Sequence, residues 1–305
     1  MKNATVKINM IREYAVDPDA VYRNLDSLQR FLADFRAENG RVIVSIPRNW
    51  IREQQNKIRV LGLSDVARRR CFDDIAKLAN TSVIGGVTIP TTIQSWIMQA
   101  RYAMEHYNIN AIISTTSDIA ANEFDYLNLL ESQPNNWIIN QTQSVQRNAQ
   151  SISQSIATSL SIASIALYVD PYFHPTDERY RAPLLALINL LRNGRNPCSK
   201  LYLHTTTQDD KNRSALESGL ETHVKPHLQN GFSIELWIWP SQQLHDRFIL
   251  TKNVGYSFGH GLDESNYRDA INVNINRISE SARSEEYRKY STEAYRIGNP
   301  IIITG

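Results

Sequence analysis

From residue 162 to residue 304, apolar runs of strand length alternate with apolar stripes at helical spacing, and this order restricts that part of the chain to a layered α/β fold. Residues 162–169 read as a strand that ends in Asp170-Pro171-Tyr172-Phe173. Residues 178–191 read as a helix closed by Asn193-Gly194, and 201–204 as a strand. A helix over 214–228 is closed by Asn230-Gly231, and 233–239 alternate strictly as a strand. Residues 270–278, a helix over 279–290 and a final strand over 300–304 complete the series. Sheets built in this order place ligand chemistry at strand ends.

The first half reads as mixed α/β. Leu25, Leu28, Phe31, Leu32 and Phe35 recur at helical spacing before Asn39-Gly40, and the apolar run 42–46 is stopped by Pro47. Ile93, Trp96, Ile97, Ala100 and Met104 mark a second helix, followed by a strand over 110–114. A polar stretch at 132–136 sets the expected boundary, giving a smaller mixed α/β domain over 1–135 and an α/β layer domain over 136–305. The latter opens with Val145, Ala149, Ile152, Ile156 and Leu160, spaced as one amphipathic helix.

With 305 residues, 42% hydrophobic and 21% charged, the chain has the composition of an ordinary globular protein. Its net charge of +2 predicts that nucleic-acid binding comes from a local patch rather than from the whole surface. Arg48, Arg52, Lys57, Arg68 and Arg69 form such a candidate patch, since clustered cations displace counterions from a phosphate backbone; a solvated helix face is the plainer reading, because Asp73 and Asp74 follow at once. The opening residues carry no long apolar run behind Lys2, and the most apolar stretch, 156–169, is broken by Thr158, Ser159, Ser161 and Ser164. No secretory signal and no membrane span are expected. Cys71 and Cys198 form neither a disulfide framework nor a metal spacing, which suits a cytoplasmic location.

The stretch at 244–261, LHDRFILTKNVGYSFGHG, reads as two short strands joined by a tight turn, with charges where a half-buried strand alternates. Residues i and i+2 of a strand share a face, so His245 and Arg247 are expected to project together and Asp246 to point away. Taken with the strand ending in Tyr-Val-Asp-Pro-Tyr-Phe-His-Pro, this segment resembles one half of the phospholipase D superfamily. Members carry His-x-Lys, four residues, Asp, six residues, then Gly-Ser. The pattern puts His245 on the histidine, Arg247 on the lysine, Lys252 on the aspartate, Gly259 on the glycine and His260 on the serine. It covers about residues 156–263, and it also resembles bacterial proteins associated with anti-phage defence loci.

The resemblance implies a phospholipase D-like domain acting as a metal-independent phosphodiesterase, most directly a nuclease effector of prokaryotic defence that needs no cofactor. Histidine can attack phosphorus or protonate a leaving oxygen, and a guanidinium holds phosphate in a planar fork. His245 and Arg247 are the expected core of the site, with Asp170, His204 and His260 in support and Asp263 as a further carboxylate candidate. Lys252, which reverses the sign of the family's acid, joins the candidate nucleic-acid contacts. Since the family joins two such halves, a homodimer is expected. The alternative is a catalytically degenerate subunit that binds nucleic acid or a partner protein of a larger defence complex.

Overall fold

A computed structural model describes residues 9–21, 25–115, 118, 122–134, 137–208, 211–266, 271–292 and 295–305. The fold is mixed α/β with two sheets, and the chain divides into two compact units, Ile11–Asn140 and Met1–Met10 with Gln141–Gly305. The division falls five residues beyond the polar stretch that set the expected boundary. Met10 belongs with the second unit: it donates its amide to the Ser155 carbonyl, and its own carbonyl accepts from the buried guanidinium of Arg277.

The first unit runs β1 (Arg12–Val16), α1 (Leu25–Asp34), β2 (Arg41–Val44), α2 (Trp50–Val60), α3 (Asp65–Thr81), β3 (Val83–Ile84), α4 (Trp96–Tyr107), β4 (Ala111–Ser114), β5 (Glu123–Asp125) and α5 (Tyr126–Ser132). Its five strands are all parallel, in the order β3-β2-β1-β4-β5. The strands are short and buried, as a parallel sheet covered by helices requires. Phe31, Phe35, Tyr14, Tyr126 and Trp137 meet edge-to-face or stacked in the core, each contributing roughly 1.5–3 kcal/mol of apolar burial.

The second unit runs β6 (Thr142–Gln146), α6 (Ala149–Ser155), α7 (Ala157–Ser161), β7 (Ala166–Val169), α8 (Glu178–Arg192), β8 (Lys200–Thr206), α9 (Arg213–Gly219), β9 (Ser233–Trp239), β10 (Phe248–Thr251), β11 (Gly255–Phe258), β12 (Asn272–Arg277), α10 (Glu280–Ser291) and β13 (Ile301–Thr304). Its eight-stranded sheet has the order β13-β9-β8-β7-β10-β11-β12-β6, with β7, β8 and β9 parallel and the β10–β11 hairpin antiparallel beside β7. Leu167, Val169, Trp239, Phe248, Leu250 and Tyr290 pack together on the face that carries α10.

Two expected elements are corrected. The single helix through Val145 and Leu160 is a strand and two short helices: Val145 pairs with Val273, and Asn148 then caps α6 by accepting from the Ser151 amide. The helix expected over 214–228 keeps α-geometry only to Gly219. It ends in a π-turn and a short 3-10 turn at Pro226, whose ring supplies no amide hydrogen.

Candidate functional site at the end of β7 and the start of β10

The charged triplet sits just outside the strand it was expected to occupy. His245, Asp246 and Arg247 precede β10, yet Asp246 and Arg247 still face different neighbours. Asp246 acts electrostatically on Glu286 and Tyr290 of α10, whereas Arg247 acts on Asp170 and lays its guanidinium 4.8 Å from the Tyr172 ring centroid. The cause is the register. Phe248 pairs with both Val169 and Ser257, and Phe258 donates its amide to the Arg247 carbonyl, so Arg247 continues the pairing without a strand neighbour on the β7 side.

His245 is exposed and lines a cleft of about 310 Å³ with Pro171, Tyr172, Thr206, Gln208 and Gln242. Its Nε2 lies 3.1 Å from the Gln242 carbonyl oxygen. A carbonyl only accepts, so Nε2 is the donor in this contact, and in the neutral ring the lone pair is then on Nδ1.

Asp170 is 1% exposed and accepts from the Tyr172 amide at 2.9 Å. Burial raises its carboxyl to about 6; the Tyr172 and Leu262 amides and Arg247 pull it down, while Asp263 adds to the rise. Its Oδ2, the Tyr168 hydroxyl and Arg247 Nε are buried without a hydrogen-bond partner. Asp263, also buried, is held between two arginines. Arg147 donates to Oδ1, and Arg179 Nε donates to Oδ2 at 2.8 Å. Arg147 also donates to the His260 carbonyl at 3.2 Å, fixing the loop that follows β11.

His260 is exposed just past the end of β11, at the same end of the sheet as His245, because β11 runs antiparallel to β10. His204 is elsewhere in kind. It is fully buried against Trp239 and Tyr290, its Nδ1 accepts from the Trp239 indole at 3.0 Å, and burial holds its imidazole well below the ordinary range. It is a neutral packing residue with none of its surface open to solvent. Lys252 is exposed in the hairpin turn at the opposite end of β10 from His245, so the residue at the family's acid position does not reach the site.

Arg147, Arg179 and Tyr172 were not singled out by sequence. They come from β6's end, the first turn of α8 and the β7–α8 loop, and only Tyr172 carried a signal, as part of the Asp-Pro-Tyr-Phe strand end.

The basic candidates of the first unit are divided among the turn before α2, which holds Arg48, α2 and α3. Arg48 borders a hollow of about 990 Å³ past the carboxyl ends of β2 and β3, which Gly85 and Gly86 also line. Arg52 is exposed on α2; Lys57 pairs with Asp19, and Arg68 with Asp65 at 3.4 Å. Arg69 borders a hollow with Arg36, Arg70 and Lys77 that also holds Asp73 and Asp74, so the local charge is mixed. In this sheet the strand order reverses between β1 and β4, the crevice where open α/β sheets hold ligands. Asp17 stands there after β1; burial raises its carboxyl against the pull of Lys57, and burial in turn lowers Lys57.

Among the described residues no group of three histidine, cysteine or acidic side chains is placed to hold a metal ion, and no helix is long and apolar enough to cross a membrane. The chain is a two-unit α/β protein whose second unit carries, at one end of its sheet, buried acids held by arginines and an exposed histidine. No family model and no curated protein matches it. Among solved structures it is similar to TrmBL2, an archaeal chromatin protein whose structure is described as showing a novel mode of DNA binding, at 11% identity and a TM-score of 0.29. The match covers 54% of this chain and 55% of that one, so the chain spans about half of that neighbour's length. A likeness this slight carries neither fold nor function across.

Proposed function

We propose that the second unit is a phospholipase D-like phosphodiesterase, acting as a nuclease through His245. The observation that carries this reading is the His245 Nε2 contact to the Gln242 carbonyl, which leaves Nδ1 as a nucleophile at the mouth of a cleft. Arg247, half-buried and stacked on Tyr172, supplies the cation for the phosphoryl oxygens. His260 supplies the second imidazole from the same end of the sheet.

His245 Nδ1 attacks phosphorus, forming a P–N bond as the P–O bond to the leaving group breaks. The leaving oxygen takes the proton of the His260 imidazolium. Water then attacks phosphorus, giving its proton to the now neutral His260, and the P–N bond breaks to free His245. With both imidazoles in one chain, a homodimer is not needed for the chemistry. The cytoplasmic anti-phage setting enters this reading through the family resemblance.

The test is cleavage of labelled single- and double-stranded DNA and RNA with EDTA present. Wild type should cut, His245→Ala should not, and His260→Ala should be slower by roughly 10²–10⁴-fold, the usual contribution of a positioned proton donor. A silent His260→Ala would return the second imidazole to a partner copy. Binding without cleavage by wild type would favour the degenerate, nucleic-acid-binding alternative.

A second reading is favoured by Asp17, a half-buried carboxyl beside a lysine at the reversal point of the first sheet. It puts the ligand site in the first unit, and it gains if Asp17→Asn abolishes activity while His245→Ala is silent.

A further inference from the structure

The cleft beside His245 is lined unlike a phosphate site. Among the described residues that line it, all but His245 are uncharged: Gln208 and Gln242 are amides, Thr206, Thr207 and Ser241 carry hydroxyls, and only Pro171 and Leu244 are aliphatic. The nearby cations are not in the cleft wall: Arg247 lies over the Tyr172 ring, and Lys211 is buried, donating its ammonium to the Pro171 carbonyl at 2.8 Å. Tyr172 is 48% exposed, so much of this aromatic side chain is left to solvent at the cleft.

Each of these features selects for a flat, uncharged, hydrogen-bonding group next to the phosphodiester. A half-exposed ring is a stacking platform, and stacking tolerates any base. Amides present a donor and an acceptor side by side, which matches the edge of a base. An acyl chain would require apolar walls, and two aliphatic residues do not make them. At about 310 Å³ the cleft lies at the small end of ligand pockets, roughly 300–1,000 Å³, suited to one group and not to a duplex.

We propose that this cleft is a nucleobase subsite: the base adjoining the scissile phosphodiester stacks on Tyr172 and is met at its edge by Gln208, so that the substrate is single-stranded nucleic acid. A base within a duplex is already stacked and paired and cannot enter without being extruded. The inference rests on the phosphodiesterase reading for its chemistry, but its binding half is separable.

The experiment uses the full chain as wild type, Tyr172→Ala, Tyr172→Phe and Gln208→Ala. Adenosine is titrated into each by calorimetry, and cleavage is compared on a single-stranded oligonucleotide, its duplex and an abasic oligomer of equal length. Adenosine should bind wild type and Tyr172→Phe alike and bind Tyr172→Ala roughly 5- to 100-fold more weakly, the range for losing one aromatic stack. Gln208→Ala, which leaves the Arg247–Tyr172 pair intact, should also weaken adenosine binding. The single strand should be cut at least about tenfold faster than the duplex or the abasic oligomer. Equal cleavage of the abasic oligomer, or adenosine binding that ignores Tyr172→Ala, overturns the subsite while leaving the phosphodiesterase in place. A wild type that cuts nothing but binds adenosine through Tyr172 supports the subsite and removes the phosphodiesterase.

Discussion

Gly259 and Gly261 stand two residues apart under different constraints. Gly261 has φ +132°, and a Cβ there would lie 2.4 Å from Asp263 Oδ1, the atom that Arg147 holds. At Gly259 the nearest atom to a Cβ is the Asn274 carbonyl oxygen at 3.8 Å, an ordinary contact. In urea unfolding, Gly261→Ala should therefore lose about 2–3 kcal/mol from strain, and Gly259→Ala no more than about 0.5 kcal/mol. Asp170 gives a pH-dependent expectation. Its folded carboxyl, at about 6, lies above the unfolded value of 3.8, so the native state holds the proton more tightly. The stability this contributes is complete below pH 3.8 and is lost as pH rises through 6, to a total of about 3 kcal/mol. Urea titrations between pH 4 and 7 should show that slope in wild type and its absence in Asp170→Asn; parallel slopes would refute it. The opposed directions of Asp246 and Arg247 were legible in the sequence because they follow from local geometry. The clamp on Asp263 was not, since its arginines lie 116 and 84 residues away along the chain.

The elements read most faithfully are those with uninterrupted period and explicit ends. β9 spans the seven residues read as a strand, half-buried and buried in turn over the first four and buried throughout the last four, and α8 is capped by Asp177, whose side chain accepts from the Arg179 amide. The segment at 142–161 defeated the helical reading because an apolar residue every three or four positions fits a strand followed by two short helices equally well. What decided it was β12, which offers five paired residues to β6. The start of α6 then depends on its cap: Asn148 accepts from the Ser151 amide, and Glu264 accepts from the Ala149 amide at 2.7 Å. Asn148→Ala should cost about 1 kcal/mol of unfolding free energy. A change within error would mean that Glu264 alone holds that helix end.

At the scale of the whole chain, the second unit includes residues from before the first. Arg277 is buried, and its guanidinium donates to the Met10 carbonyl. A fragment of residues 141–305 loses that acceptor, and leaving a buried charged donor unsatisfied costs roughly 1–3 kcal/mol. Its unfolding midpoint in urea should fall below that of a version with residues 9 and 10 restored through a short linker; equal midpoints would show that Met10 contributes nothing. The sequence by itself determined the α/β class and most strand and helix positions, because periodicity and capping act over a few residues. Only the tertiary structure decided that His204 is sealed against Trp239 and Tyr290, that Lys252 lies at the far end of β10, and that Asp170 and Asp263 sit buried among arginines. Burial and ion pairing depend on which strands become neighbours, and in this chain those neighbours come from segments many residues apart.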